Sequence, residues 1–218
     1  MKKRTIIAIT LLVLLSTITS QQKFVTTKFN LNKIIVTNNY LVDNKEIKKL
    51  LSPFYNKSLI LLKDEEIKQA LLKNSLIESF KIKKKYPNTL KIQIFEKKPI
   101  AVLQNKKQKF LLSEKIDLIE FKYFQKNENL PYVFGNKEKF KIFYLNLKKI
   151  NFPLEVINKY TLFETNRWDI ETKDKKVIKL PSEDYLKILE NYLDLRNKKD
   201  FKKYRMFDYR IKDQLIIN

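Results

Sequence analysis

Phe80-Lys81-Ile82-Lys83-Lys84-Lys85-Tyr86-Pro87-Asn88-Thr89-Leu90-Lys91-Ile92-Gln93-Ile94-Phe95-Glu96-Lys97-Lys98-Pro99-Ile100-Ala101 is the stretch on which the fold turns. Phe80, Ile82 and Tyr86 alternate with Lys81, Lys83 and Lys85, and Leu90, Ile92 and Ile94 alternate with Lys91 and Gln93. A period of two sends apolar side chains to one face and polar ones to the other, so each half reads as a half-buried strand. Pro87-Asn88 between them is turn chemistry. The same alternation makes Lys81 to Lys85 a solvated strand face rather than a basic patch. Pro99 biases Lys98 to an extended conformation and cannot donate to a ladder, which marks a domain boundary.

Upstream, Phe29, Leu31, Ile34 and Val36 give a broken alternation, a strand with a bend near Asn32-Lys33. Asn38-Asn39 follows, and Asn tolerates the left-handed conformations that glycine otherwise supplies. Asp43 and Glu46 have the spacing of a capping box, and Ile47, Leu50, Leu51 and Phe54 then fall on one helical face. Pro53 ends that helix. A second helix begins near Asp64, with Ile67, Ala70 and Leu71 as its apolar face and Asp64, Glu65 and Glu66 suited to the positive end of its dipole. The order is strand, helix, helix, strand, strand.

These residues resemble the FtsQ/DivIB family of cell-division proteins. Phe29-x-Leu31-x-x-Ile34-x-Val36 with Asn38-Asn39 and Glu46-Ile47 looks like the start of that family's POTRA domain. Phe80 to Leu90 is similar to its V-x-V-x-R-x-Y-P-x-T-L signature, and Ile92 to Ala101 to its I-x-V-x-E-R-x-P-x-A continuation, with Lys97 where arginine is usual. The chain departs from the family pattern at Thr37, where glycine is expected, and in the Ser113 to Asp117 turn.

Beyond Pro99 the chain reads as a second, mostly β domain. Ile100 to Gln104, Phe110 to Ser113 and Leu118 to Phe121 are short strand candidates. Leu130-Pro131-Tyr132-Val133-Phe134-Gly135 resembles the family's L-P-x-L-x-G element. Helices are expected over Glu138 to Lys149 and Leu154 to Lys159. Arg167 to Thr172, a polar turn over Lys173 to Lys176, and Val177 to Leu180 read as a hairpin. Ser182 is placed to cap a helix in which Tyr185, Ile188, Leu189, Tyr192 and Leu193 recur at helical spacing, an aromatic stripe of the kind that usually belongs to a core. Met206 to Ile211 is similar to the family's I-D-L-R strand, and Leu215 to Ile217 follows.

The N-terminus carries an address. Met1-Lys2-Lys3-Arg4 precedes an uncharged run from Thr5 to Gln22, which reads as a cleaved signal peptide, an uncleaved signal-anchor or a core helix. The basic flank and the lack of a polar face argue against a core helix, the absence of an A-x-A cleavage site favours an anchor, and positive-inside places residues 1–4 in the cytoplasm. Composition excludes much else. There is no Cys and no His, so thiol nucleophiles, Cys-based zinc sites, disulfides and His-dependent triads are all absent. The single glycine, Gly135, leaves no Gly-rich phosphate loop. The formal net charge of +22 suggests nucleic acid at first sight. The basic residues are mostly lysines dispersed through every segment, whereas base readout favours clustered Arg.

The expectation is therefore an α+β chain: a cytoplasmic tail (1–4), a transmembrane signal-anchor (5–22), a linker (23–28), a POTRA domain of order β-α-α-β-β (29–97) and a mostly antiparallel β domain with a helix (98–218). The resemblance implies a non-enzymatic, single-pass inner-membrane scaffold of the divisome, its C-terminal domain periplasmic at the division site. It implies partners of the FtsB and FtsL type, a link to septal peptidoglycan synthesis, and no cofactor, metal, nucleic acid or small-molecule substrate. In the family the last strand lies at a sheet edge and accepts a partner strand. The matching stretch here is about Tyr204 to Ile217, with Tyr209, Arg210, Ile211 and Asp213 as candidate partner-binding positions. Alternatives are a POTRA protein of outer-membrane assembly or secretion, and a basic nucleic-acid-binding protein.

Overall fold

A computed structural model describes residues 2–17, 28–105, 108–124 and 129–218. The chain divides into two compact units, Met1–Glu96 and Lys97–Asn218.

In the first unit, strand β1 (Lys33–Thr37), helices α2 (Asn44–Leu50) and α3 (Asp64–Leu71), and strands β2 (Ile77–Lys85) and β3 (Thr89–Glu96) follow in that order. The sheet order is β1-β3-β2, with β1 parallel and β2 antiparallel to the central strand. The alternation read from the sequence is the register itself. Leu90, Ile92 and Ile94 are fully buried beneath the helices, with Ile34 of β1 beside them. Ile47 and Leu51, then Ile67 and Leu71, bring the helices onto that face, and all four are fully buried. Asp43 caps α2, its side chain accepting the Lys45 N–H at 2.9 Å. Glu46, expected to complete the box, also accepts from the Asn74 side-chain amide at 3.1 Å, which joins α2 to the chain leaving α3. Asn38 takes the left-handed conformation (φ 64°), and its side chain donates to the carbonyl of Ile94 at 2.9 Å. The turn that elsewhere calls for glycine is thus supplied one residue after Thr37.

The second unit is a nine-stranded sheet in the order β12-β11-β10-β9-β8-β7-β4-β5-β6. Its strands are β4 (Pro99–Asn105), β5 (Gln108–Ser113), β6 (Leu118–Glu120), β7 (Tyr132–Phe134), β8 (Ile157–Leu162), β9 (Trp168–Thr172), β10 (Val177–Lys179), β11 (Met206–Asp208) and β12 (Ile216–Ile217). The sheet is mixed: most neighbouring strands pair antiparallel, but β4 and β7, β7 and β8, and β10 and β11 pair in parallel. Parallel neighbours need a crossover. Helix α4 (Lys137–Lys149) supplies it between β7 and β8, and α5 (Tyr185–Arg196) between β10 and β11. These are the helices expected over Glu138 to Lys149 and after Ser182. Both crossovers step the same way from strands of the same direction, so right-handed connections put both helices on one face.

A single aromatic-rich core fills that space. The Phe143 ring stacks on Trp168 at 4.8 Å between centroids, and Phe140 meets Tyr160 edge-on at 5.1 Å. Tyr192 of α5 meets Phe207 of β11 edge-on at 5.1 Å, so the aromatic stripe of α5 is core, as its spacing implies. Asn146 donates to the Tyr185 hydroxyl at 2.7 Å and ties α4 to α5.

Two local readings change, and the Ser113 to Asp117 departure gains a structure. Leu154 to Lys159 is not a helix: a short 3-10 turn (Leu154–Val156) runs straight into β8, whose Ile157 and Tyr160 are buried. Ser182 does not cap α5; Asp184 precedes that helix in the left-handed conformation (φ 53°) with no side-chain cap bond. In the Ser113 to Asp117 turn, Ile116 holds φ 62°, costly for a β-branched residue, while its side chain is 2% exposed and packed in the core. Ser113 anchors that turn by accepting from the Lys115 and Asp117 N–H groups.

At the N-terminus, α1 spans Lys2–Thr17. Its 16 residues give a length of about 24 Å, short of the ~30 Å hydrocarbon thickness. Among the described residues no helix is long and apolar enough to cross a membrane. Residues 18–22 of the expected 5–22 span lie outside the described residues, as does most of the expected linker.

Candidate partner-binding edge

The last two strands make one border of the large sheet. β11 is held between β10, to which it is parallel, and β12, to which it is antiparallel. Phe207 lies opposite Ile217, and Asp208 opposite Ile216. Asn218 donates to the Met206 carbonyl at 3.1 Å and accepts from the Met206 N–H at 2.9 Å. In an antiparallel pair, hydrogen-bonded positions alternate with non-bonded ones. Asn218 and Ile216 therefore face β11, and the N–H and C=O of Ile217 point to the open side of the sheet.

Tyr209, Arg210, Ile211 and Asp213 do not form one strand with the residues around them. β11 stops at Asp208, the chain turns, and it returns as β12. The break has two local causes. Asp208, 5% exposed, is gripped by Arg210, whose Nε reaches Oδ1 at 2.8 Å and Oδ2 at 3.0 Å, and whose backbone N–H reaches Oδ1 at 3.1 Å. Such a two-residue loop of hydrogen bonds is incompatible with an extended ladder. Asp213 then takes a left-handed conformation (φ 56°), and Gln214 N–H bonds the Ile211 carbonyl at 3.2 Å to close the turn.

The four positions have different surroundings. Tyr209 is 6% exposed, its N–H bonds the Lys179 carbonyl at 2.9 Å, and its hydroxyl is buried without a hydrogen-bond partner among the described residues. Burial, with Tyr192 as a minor cause, pushes its pKa up to about 12. Arg210 and Asp213 are exposed, and Ile211 is 51% exposed. Next to them Ile216 is 46% exposed. Exposed Ile211 and Ile216 are the apolar side chains of this border; Ile216 was missed because a two-residue strand leaves no alternation to read.

Charge crosses the sheet in a row beside this border. Asp169 of β9 lies opposite Lys179 of β10, which lies beside Asp208 of β11, with a Lys179–Asp208 ion pair at 4.0 Å. The side-chain hydrogen bonds from Arg210 hold the Asp208 carboxyl below the usual carboxylate range. Asp169 is shifted the other way, because burial outweighs its Arg167 partner at 3.5 Å. At one end of α5, an open cavity of about 740 Å³ is lined by Arg196, Lys173, Lys202, Arg205, Tyr192 and Tyr204, among others. Among the described residues no group of acidic side chains could hold a metal ion.

The chain is thus a three-stranded α/β module followed by an open mixed sheet with two helices on one face, and comparison with known proteins gives its family. Residues 29–97 match the family model for the POTRA domain, FtsQ-type. The chain is 30% identical over 195 residues to a cell division protein FtsQ of Rickettsia conorii, an alignment covering 87% of this chain and 72% of that protein. It is 30% identical over 201 residues to the one of Rickettsia typhi, covering 88% and 74%, and 32% identical over 179 residues to the one of Rickettsia prowazekii, covering 80% and 66%. The chain belongs to the FtsQ family of cell division proteins.

Proposed function

We propose that the chain is a single-pass membrane scaffold of the division machinery that does no chemistry and works by holding other proteins. The uncharged run 5–22, which contains most of α1, anchors it, with residues 1–4 in the cytoplasm, 23–28 as linker and the folded units outside. What supports anchoring is α1 itself: Ile6, Ile7, Ile9, Leu11, Leu12, Val13, Leu14 and Leu15 are all more than half exposed and point in every direction around the helix. A helix apolar all round is a buried or membrane element, and Lys3 and Arg4 at its start set the orientation. The 29–97 module serves recruitment to the division site. The 98–218 domain receives small coiled-coil division proteins of the FtsB and FtsL type, and through them acts on septal peptidoglycan synthesis.

The observation that carries the partner site is the open border at β12. A partner segment pairs with the outward N–H and C=O of Ile217, gaining backbone hydrogen bonds, while alternate side chains set its identity. Ile211 and Ile216 supply the apolar contact, and Arg210 and Asp213 the polar rim. Tyr209 acts from below, by fixing the start of the turn. The test is an N-terminal fluorescent fusion imaged in dividing cells of a rod-shaped relative, with Ile211→Glu and Ile217→Pro variants. Proline at 217 removes an N–H that points away from β11, so it blocks the border without breaking a ladder bond. Strand addition predicts a midcell band for the parent, lost in both variants at unchanged protein level. A band that persists in both variants overturns the partner site, and a parent spread evenly over the membrane overturns the division role.

A further inference from the structure

The 29–97 module leaves one sheet face without a helix, and that face is a plate of lysines. Its outward positions are Lys33, Ile35 and Thr37 on β1, Thr89, Lys91, Gln93 and Phe95 on β3, and Ser79, Lys81, Lys83 and Lys85 on β2. Five of these are lysines and none is acidic. Lys83 lies directly opposite Lys91. Like charges placed opposite each other on neighbouring strands oppose pairing. None of the five has an ion-pair partner among the described residues.

Lysines on an edge strand are an ordinary guard against aggregation. That explains Lys81, Lys83 and Lys85 on β2, but not Lys91, which sits on the central strand, nor the absence of any acid between them. The acids of the module are elsewhere. Asp43 caps α2 and Glu46 lies in its first turn, and Asp64, Glu65 and Glu66 are in the first turn of α3, on the opposite side of the sheet. Glu78 sits at the irregularity between Ile77 and Ser79 of β2, beyond the end of the lysine row. Glu96 is consumed by backbone, accepting from the N–H groups of Tyr40, Leu41 and Val42. The sheet face thus carries charge of one sign only, whereas the helix layer mixes acids with lysines.

Position selects the anion. The chain enters the module at the end of this face: Asn32 and Lys33 N–H bond the Asn88 carbonyl at 3.0 and 3.2 Å, beside Lys85 and the β2–β3 turn. Tyr86 in that turn is 57% exposed and its ring meets Phe29 edge-on at 6.1 Å. Ten residues separate Thr17, at the end of α1, from Lys28, a tether of at most about 35 Å. We infer that the five-lysine sheet face of this module docks on the anionic phospholipid headgroups of the membrane that holds the N-terminal helix, with Tyr86 at the headgroup level. The inference rests on the anchoring proposed above. The short tether keeps the face at high effective concentration near the surface, and interfacial tyrosine and polybasic attraction suit that layer. Docking lays the module flat and turns its helix layer, where acids and lysines are mixed, away from the bilayer.

The test uses the full chain, which lacks cysteine, reconstituted in vesicles of phosphatidylcholine alone or mixed with phosphatidylglycerol. A single fluorophore is placed by Ser79→Cys on the lysine face, or by Gln69→Cys on α3 as control, and quenched by headgroup-labelled lipid. Flotation of the vesicles reports anchoring separately. Docking predicts quenching at position 79 but not 69, only with phosphatidylglycerol, lost at high salt and in the Lys81→Gln/Lys83→Gln/Lys85→Gln/Lys91→Gln variant. Each lysine replaced singly is expected to weaken docking about five-fold. Flotation with no selective quenching at 79 overturns docking while leaving the anchor intact, and leaves the face to an acidic protein or to solvent. Flotation only with phosphatidylglycerol, with quenching at 79, supports docking but removes the anchor. No flotation with either lipid removes both.

Discussion

At the scale of single residues, the border is shaped by what Asp208 and Tyr209 cannot leave unsatisfied. The folded-state pKa of Asp208 is depressed by Arg210, so the pair stabilises the fold above the ordinary carboxylate range and that contribution is lost as pH falls through the depressed value. Arg210→Ala is therefore expected to lower the melting temperature at neutral pH, with the gap to the parent narrowing on acidification; thermal melts across pH measure it. A gap that is constant with pH would assign Arg210 a different role. Tyr209 buries a hydroxyl without a partner among the described residues, a desolvation cost that phenylalanine avoids, so Tyr209→Phe is expected to raise stability by about 1 kcal/mol in denaturant unfolding while leaving partner binding unchanged. Gly135 is needed for space rather than for its backbone. A Cβ there meets Leu162 Cβ at 2.8 Å and Trp168 Cη2 at 3.2 Å, and Gly135→Ala is expected to destabilise by about 1–3 kcal/mol through overpacking. The role of Asn38 was legible in the sequence because asparagine is a known left-handed residue. Ile116 at φ 62° was not, since only tertiary burial makes that conformation tolerable for a β-branched side chain.

At the scale of elements, legibility followed periodicity. β2 and β3 have enough residues for alternation to fix both face and register, and the register pairs Phe80 with Ile94 and Ile82 with Ile92 as the pattern implies. Phe207, Tyr209 and Ile211 carry the same period of two, which is why the end of the chain reads as one strand. The Asp208–Arg210 hydrogen bonds and the left-handed Asp213 override it, and the result is a turn and a two-residue strand. Strand direction is carried by no local signal. The parallel pairing of β7 with β8 and of β10 with β11 follows from the crossover helices, and the first of those partners was itself taken for helix over Leu154 to Lys159. On the lysine face, relief of the Lys83–Lys91 opposition gives an element-level expectation. Lys83→Gln should raise stability in solution by a few tenths of a kcal/mol, read by denaturant midpoint, even as it weakens membrane docking.

At the scale of the whole molecule, a chain of net charge +22 presents two kinds of surface. One is the lysine face of the first unit, where charge is uniform and shape is flat, suited to a surface of many anions. The other is the border of the second unit, where backbone groups are open and the charges are paired, suited to one partner in one register. Neither needs a reactive group, in keeping with a family of division proteins and with a composition that contains no Cys or His. The most direct measurement is backbone amide exchange of the full chain with and without a coiled-coil division protein of the proposed kind, resolved at single residues. Strand addition predicts that Ile217 N–H, fast in the free chain, becomes strongly protected in the complex together with partner amides, while β6 at the opposite border does not change. Protection that appears at β6 or on α5 and leaves Ile217 fast would contradict it.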